Sequence, residues 1–155
     1  MKSEEIKLVR TTSENSDFSD LIKLLDHELF ENYGEQQVTY NQHNQVGKLD
    51  TVLLIYYHNE AIGCGCFRQF NDEGTVEIKR MYVKKLYRGK GISKIILKEL
   101  EKWAVEEGYR LSVLETGVLQ HEAIGLYLKQ GYEKTKCYGD YAHLNNSICF
   151  IKRLY

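Results

Sequence analysis

The segment that most restricts how this chain can fold is TVEIKRMYVKKLYRGKGISKIILKELEKWA, residues 75–104. Its opening TVEIKRMYV alternates as a strand. A basic turn with two glycines follows, and then Ile92, Ile95, Ile96, Leu100, Trp103 and Ala104 mark one face of an amphipathic helix. A strand that turns straight into a long amphipathic helix sends that helix back across its own sheet. The next strand, LSVLETG at 111–117, should then run parallel to the first. Bare N–H groups at such a helix start, with Arg88 and Lys90 beside them, suit an anion.

The rest of the chain organises around that unit. EIKLVRTT reads as a first strand, and DFSDLIKLLDHELFENY as a helix capped by Asp17 with Asp20 behind it. GEQQVTYNQHNQVGKLD is a polar loop or short helix. TVLLIYYH, a turn at NEA, IGCGCFRQF, a turn at NDEG and then TVEIKRMYV predict an antiparallel meander of three strands. After the long helix, stopped near Gly108, come LSVLETG, a short helix HEAIGLYLKQG ending at Gly131, and the strands YEKTKCYG and SICFIKRLY. Hairpins followed by strand–helix–strand units predict a mixed α/β (α+β) fold. No repeat or linker interrupts the 155 residues, which form one domain spanning 1–155.

Charge narrows the function classes. The 21 basic and 22 acidic side chains nearly cancel, so no basic footprint for nucleic acid is present. No apolar run reaches the roughly 18 residues of a membrane span, and MKSEEIKLVR lacks a signal-peptide core, which points to the cytoplasm. Cys64, Cys66, Cys137 and Cys149 show no C-x-x-C spacing and read as four reduced, apolar side chains. The histidines form no H-x-x-x-H pair, so no metal is expected.

The glycine turn fits neither the Walker loop nor the complete dinucleotide fingerprint, whose third glycine position is Lys94 here. RGKGIS, Arg88 to Ser93, resembles instead the Q/R-x-x-G-x-G/A loop of the GNAT N-acetyltransferase superfamily, with Ser93 in place of the final small residue. VEIKRMYV before it and QHEAIGLYLKQGYE after it resemble the family's flanking motifs, with Gln120 where Asn is usual. EIKRMYV, LETG and the terminal SICF are similar to small bacterial single-domain members. The resemblance implies the GNAT acyl-CoA N-acyltransferase fold, a central mixed sheet of about six or seven strands flanked by helices.

It also implies an acetyl-CoA co-substrate and direct transfer to an amine in a ternary complex, without an acetylated cysteine. Backbone groups of Gly89, Lys90, Gly91, Ile92 and Ser93 would take the pyrophosphate, helped by Arg88, while Met81, Tyr82 and Val83 would follow the pantetheine arm and Gln120 would complete the cofactor site. Glu77 is the candidate general base, although a strand glutamate equally fits an ion pair. Tyr127 is the candidate proton donor to the departing sulfur, or else a core aromatic. Tyr138, Asp140 and Tyr141 can form an acceptor pocket for a small-molecule amine. A protein lysine or N-terminus as acceptor, and a coenzyme-A-binding module without catalysis, stay open. So does the choice between monomer and homodimer.

Overall fold

Hairpin turns and helical connections build a single seven-stranded sheet in this computed structural model, which describes residues 2–35, 46–70 and 74–155. The strands are β1 (Ile6–Thr11), β2 (Val52–Tyr57), β3 (Glu60–Gln69), β4 (Thr75–Val83), β5 (Leu111–Gly117), β6 (Glu133–Thr135) and β7 (Ser147–Arg153), in the order β1-β2-β3-β4-β5-β7-β6. The helices are α1 (Ser16–Tyr33), α2 (Ile92–Glu106) and α3 (His121–Lys129). β4 and β5 pair in parallel across the α2 crossover, as the sequence requires, and every other pairing is antiparallel. Among the described residues no helix is long and apolar enough to cross a membrane.

Two local expectations shift. The β2–β3 turn sits one residue earlier than NEA, because His58 and Asn59 both adopt positive φ, 48° and 67°, as a tight hairpin with the right-handed strand twist requires. Helix α1 is capped by Asn15 and not by Asp17: the Asn15 side chain accepts the Asp17 N–H at 2.9 Å. Asp17 lies inside the first turn, where its carboxylate takes the Tyr56 hydroxyl. The loop expected at GEQQVTYNQHNQVGKLD falls largely outside the described residues, at 36–45.

Both faces of the sheet are covered. Alternation along β2 sends Leu53 and Ile55 to one side, where they meet Ile96 and Leu100 of α2, and Val52 and Leu54 to the other, where α1 supplies Phe18, Leu21 and Leu25. Because each central strand is buried twice, it reads as a near-continuous apolar run. The β3–β4 ladder carries one irregularity. Cys64 pairs with Tyr82 but Cys66 with Lys79, so Gly65 stands opposite both Arg80 and Met81. Arg80 takes φ 59° in this bulge, and its guanidinium is tied to Asp26 of α1 at 2.5 Å. The bulge bends β4 away from β5 at its C-terminal half.

Candidate active site

The parallel ladder between β4 and β5 holds register from Thr75↔Leu111 to Ile78↔Leu114 and then stops. Beyond it the strands part, and a cavity of about 700 Å³ opens between them. Its walls are the second half of β4, the end of β5, the start of α2, one side of α3 and the inner side of α1. The end of α1 closes over β5: the Tyr33 hydroxyl accepts the Leu119 N–H at 3.1 Å. Gly117 permits this contact, since a Cβ there would collide with that oxygen.

At one end of the cavity lies the glycine turn. Gly89 and Gly91 hold φ of 78° and 80°, which residues with a Cβ adopt only with strain. Among the described residues, chain neighbours apart, no atom stands within 4 Å of where either Cβ would be, which leaves room for a ligand above the turn. Gly91 precedes α2 without any side-chain cap, and no acidic residue occupies the first turn. The helix start therefore offers N–H groups and a positive dipole end to an anion. Gly89, Gly91, Ile92 and Ser93 line the cavity, whereas Lys90 is exposed and is not part of the lining.

Arg88 also lines the cavity and is tied into the protein. Both terminal guanidinium nitrogens donate to Glu28 of α1 at 2.7 Å, and Nε donates to the Val83 carbonyl at 2.8 Å. Its charge is thus largely offset by Glu28, and its visible effect is to fasten the glycine turn to α1 and to β4. Met81, Tyr82 and Val83 line the cavity with no β5 partner opposite them, and Gln120, the residue before α3, lines it too. Tyr127 is also in the wall. Its ring packs on Tyr132 and Phe150, both at 5.8 Å between centroids, and burial raises its hydroxyl above the ordinary phenol range. The ring is thus part of the core, and the residue borders the cavity.

The far end holds a charged cluster. Glu77, with a side chain only 2% exposed, accepts Arg68 Nε at 2.9 Å and the Tyr138 hydroxyl at 3.2 Å, and Lys79 Nζ stands 3.9 Å away. It borders the cavity, but both carboxylate oxygens are engaged. Glu115, on β5, was not singled out by the sequence reading. It also borders the cavity, and burial raises its carboxyl to about 7, against the pull of the Ser147 hydroxyl at 2.6 Å and of Lys79. The signal available was a carboxylate within the apolar strand LSVLETG, the same kind of signal that marked Glu77. Tyr141 is buried in the wall and accepts a hydrogen bond from Lys79 at 3.2 Å. Tyr138 reaches the site through Glu77. The Asp140 side chain lies outside the described residues.

The cysteines correct the expectation of four reduced thiols. Cys137 and Cys149 form a disulfide, while Cys64 and Cys66 are free and buried. Burial pushes the Cys66 thiol up to about 12 and Cys64 higher still, so neither is a nucleophile at neutral pH. The bond joins the residue before Tyr138 to the residue that pairs with Glu115 on β7. Alkylation of unfolded, unreduced protein is therefore expected to tag two thiols and not four, by mass. Reduction should lower stability by about 2–3 kcal/mol in denaturant titrations, as for a loop of this size. Four tags without reductant would show that the bond does not form.

Comparisons with known proteins agree with this architecture. Residues 18–132 match the pattern of the acetyltransferase (GNAT) family. An IAA acetyltransferase of Azospirillum brasilense is 30% identical over 136 residues, covering 84% of this chain and 89% of that protein. An N-acetyltransferase of Xenopus tropicalis is 36% identical over 90 residues, 58% of this chain, and this chain spans only 44% of its length. Among solved structures, one named as an acyl-CoA N-acyltransferase from Klebsiella pneumoniae superposes with a TM-score of 0.77 at 29% identity, covering 97% of each chain.

Proposed function

This chain belongs to the GNAT acetyltransferase family, and on that premise we propose that it transfers the acetyl group of acetyl-CoA to a primary amine of a small molecule, by direct attack in a ternary complex. The observation that supports this most is the convergence, in one cavity, of an uncapped helix start, a strand segment without a β5 partner, a buried tyrosine and a carboxylate raised to about 7. The residues fit the co-substrate. The open space above Gly89 and Gly91 suits a pyrophosphate held by backbone N–H groups, and Met81–Val83 offer main-chain groups to a pantetheine arm. When bound, the thioester supplies the activated acetyl group.

The chain's own groups then divide the remaining tasks. Glu115 accepts the proton that an ammonium must lose before it can attack, and its raised carboxyl matches it to that task near neutral pH. Glu77, expected from the sequence to be the base, is held by Arg68 and Tyr138 and in this reading shapes the field around Glu115 instead. A main-chain N–H in the Met81–Val83 segment faces developing negative charge on oxygen. Tyr127 keeps its proton and presents it to the sulfur end of the cavity. The Tyr138–Tyr141 segment, pinned through Glu77, Lys79 and the disulfide, narrows the acceptor side and favours a small acceptor over a peptide.

Acetyl-CoA turnover against amino acids, polyamines, aminoglycosides and lysine peptides tests this reading. Faster acetylation of peptides would move the acceptor to proteins, and tight coenzyme binding with no turnover on any amine would make the chain a binding module. The phosphate end has its own test by calorimetry with coenzyme A. Gly91→Val should weaken binding by more than about tenfold, because it strains φ 80° and fills the approach. Arg88→Ala should weaken it less, since Glu28 already offsets that charge. Equal affinity in wild type and Gly91→Val would remove the phosphate from this turn.

A further inference from the structure

Lys79 buries its ammonium at the floor of the fork, with a side chain 4% exposed. The last paired residues of β4 and β5 are Ile78 and Leu114, so the next residues, Lys79 and Glu115, stand on the two strands at the level where they separate. Both line the cavity. Removing an ammonium from water is costly and calls for a compensating role. Glu77 is one carboxylate near it, at 3.9 Å, but that carboxylate already accepts Arg68 Nε at 2.9 Å, so Lys79 is not its sole counter-charge. The Lys79 position is fixed from the acceptor side by the Tyr141 hydroxyl, at 3.2 Å, with the ring centroid 5.5 Å from Nζ.

We infer that Lys79 is a positioning residue for the proton acceptor: its ammonium, anchored on Tyr141, stands across the fork from Glu115 and favours, against the burial of that carboxyl, the ionised form that takes the amine proton. The inference rests on the assignment of Glu115 as the base. The groups that act on Glu115 come from every neighbouring element. Glu77 and Lys79 belong to β4, Ser147 to β7, Tyr127 to α3, and Tyr138 and Tyr141 to the turn before β7. The tyrosines stay neutral, Glu77 opposes ionisation, and Lys79 is the cation of this set. A cation near a buried carboxyl favours its ionised form and lowers its titration.

Carbon-13 titration of the Glu115 carboxyl in coenzyme-free protein, assigned with Glu115→Gln, reads this directly, and the pH dependence of kcat/KM reads it in turnover. Lys79→Met and Lys79→Gln should raise the Glu115 midpoint by about one pH unit and move the acid limb of kcat/KM with it. Lys79→Arg should restore both. In unsubstituted protein the Lys79 side-chain resonance should show a step at the Glu115 midpoint, a readout that needs no variant to fold. A midpoint unmoved by either neutral substitution, or no such step, overturns the inference while the base assignment stands. An acid limb that survives Glu115→Gln overturns both.

Discussion

Glu115→Gln is expected to lower kcat/KM by about 10²-fold at pH 8 and to abolish the acid limb of its pH profile, the loss typical of removing a positioned general base. In the wild type that limb should fall below about pH 7, where burial has placed the carboxyl. The same substitution should stabilise the protein, and the sign follows from linkage. The folded carboxyl titrates at about 7, above its ordinary value of 4.5, so the fold disfavours the charged form. That penalty is fully present above about pH 7 and disappears as the pH falls to about 4.5. At roughly 1.4 kcal/mol per unit the shift amounts to about 3 kcal/mol. The melting temperature of Glu115→Gln should therefore exceed the wild type's at pH 8 and converge with it near pH 4.5. A variant with intact turnover, or one destabilised at pH 8, would exclude a strained carboxylate that serves as base.

Tyr127→Phe is expected to reduce kcat by about 10- to 100-fold while the affinity for coenzyme A stays within about twofold. The ring keeps its contacts with Tyr132 and Phe150, so the substitution deletes one hydroxyl and leaves the packing. Burial holds that hydroxyl above its ordinary range, so it carries its proton throughout the working pH range. A thiol titrates near 8.5, so complete transfer from such a phenol to a thiolate is uphill. The hydroxyl acts instead as a hydrogen-bond donor while charge grows on sulfur. Two consequences separate Tyr127 from Glu115: the acid limb should be unchanged in Tyr127→Phe, and no basic limb should arise from this tyrosine below pH 10. Rapid-quench single turnovers isolate the chemical step. A wild-type rate there would assign the donor to another group or to water.

The meander, the α2 crossover and the parallel β4–β5 pair were all legible in the sequence, because each rests on short-range pattern: strand alternation, turn residues and a helical stripe. The glycine turn was legible for the same reason, as Gly89 and Gly91 mark backbone conformations that few other residues accept. Features that depend on what the fold brings together were not. Nothing local to Arg88 reveals that Glu28, on a helix 60 positions earlier, takes its charge. Cys137 and Cys149 meet because β7 returns beside β5, which their spacing does not encode. Glu77 and Glu115 look alike as strand carboxylates. Arg68 and Tyr138 engage one, while the other accepts the Ser147 hydroxyl, and only the assembled neighbourhood tells the two apart.

The early end of the β4–β5 ladder leaves strand backbone open inside the protein. Unpaired strand backbone is normally a liability, since a row of open N–H and C=O groups templates pairing with a second chain. Proteins usually confine that hazard to the rim of a sheet and blunt it there with charge or proline. This chain has no proline at all. Its open stretch, Met81–Val83, lies instead in the middle of the sheet, backed by β3 on one side and roofed by α1. A folded neighbour cannot reach it, but under the proposed function a thin, extended ligand slides in and takes the place of a partner strand. Deep placement thus turns an aggregation-prone surface into a selective one, with cleft width rather than charge deciding what is allowed to pair.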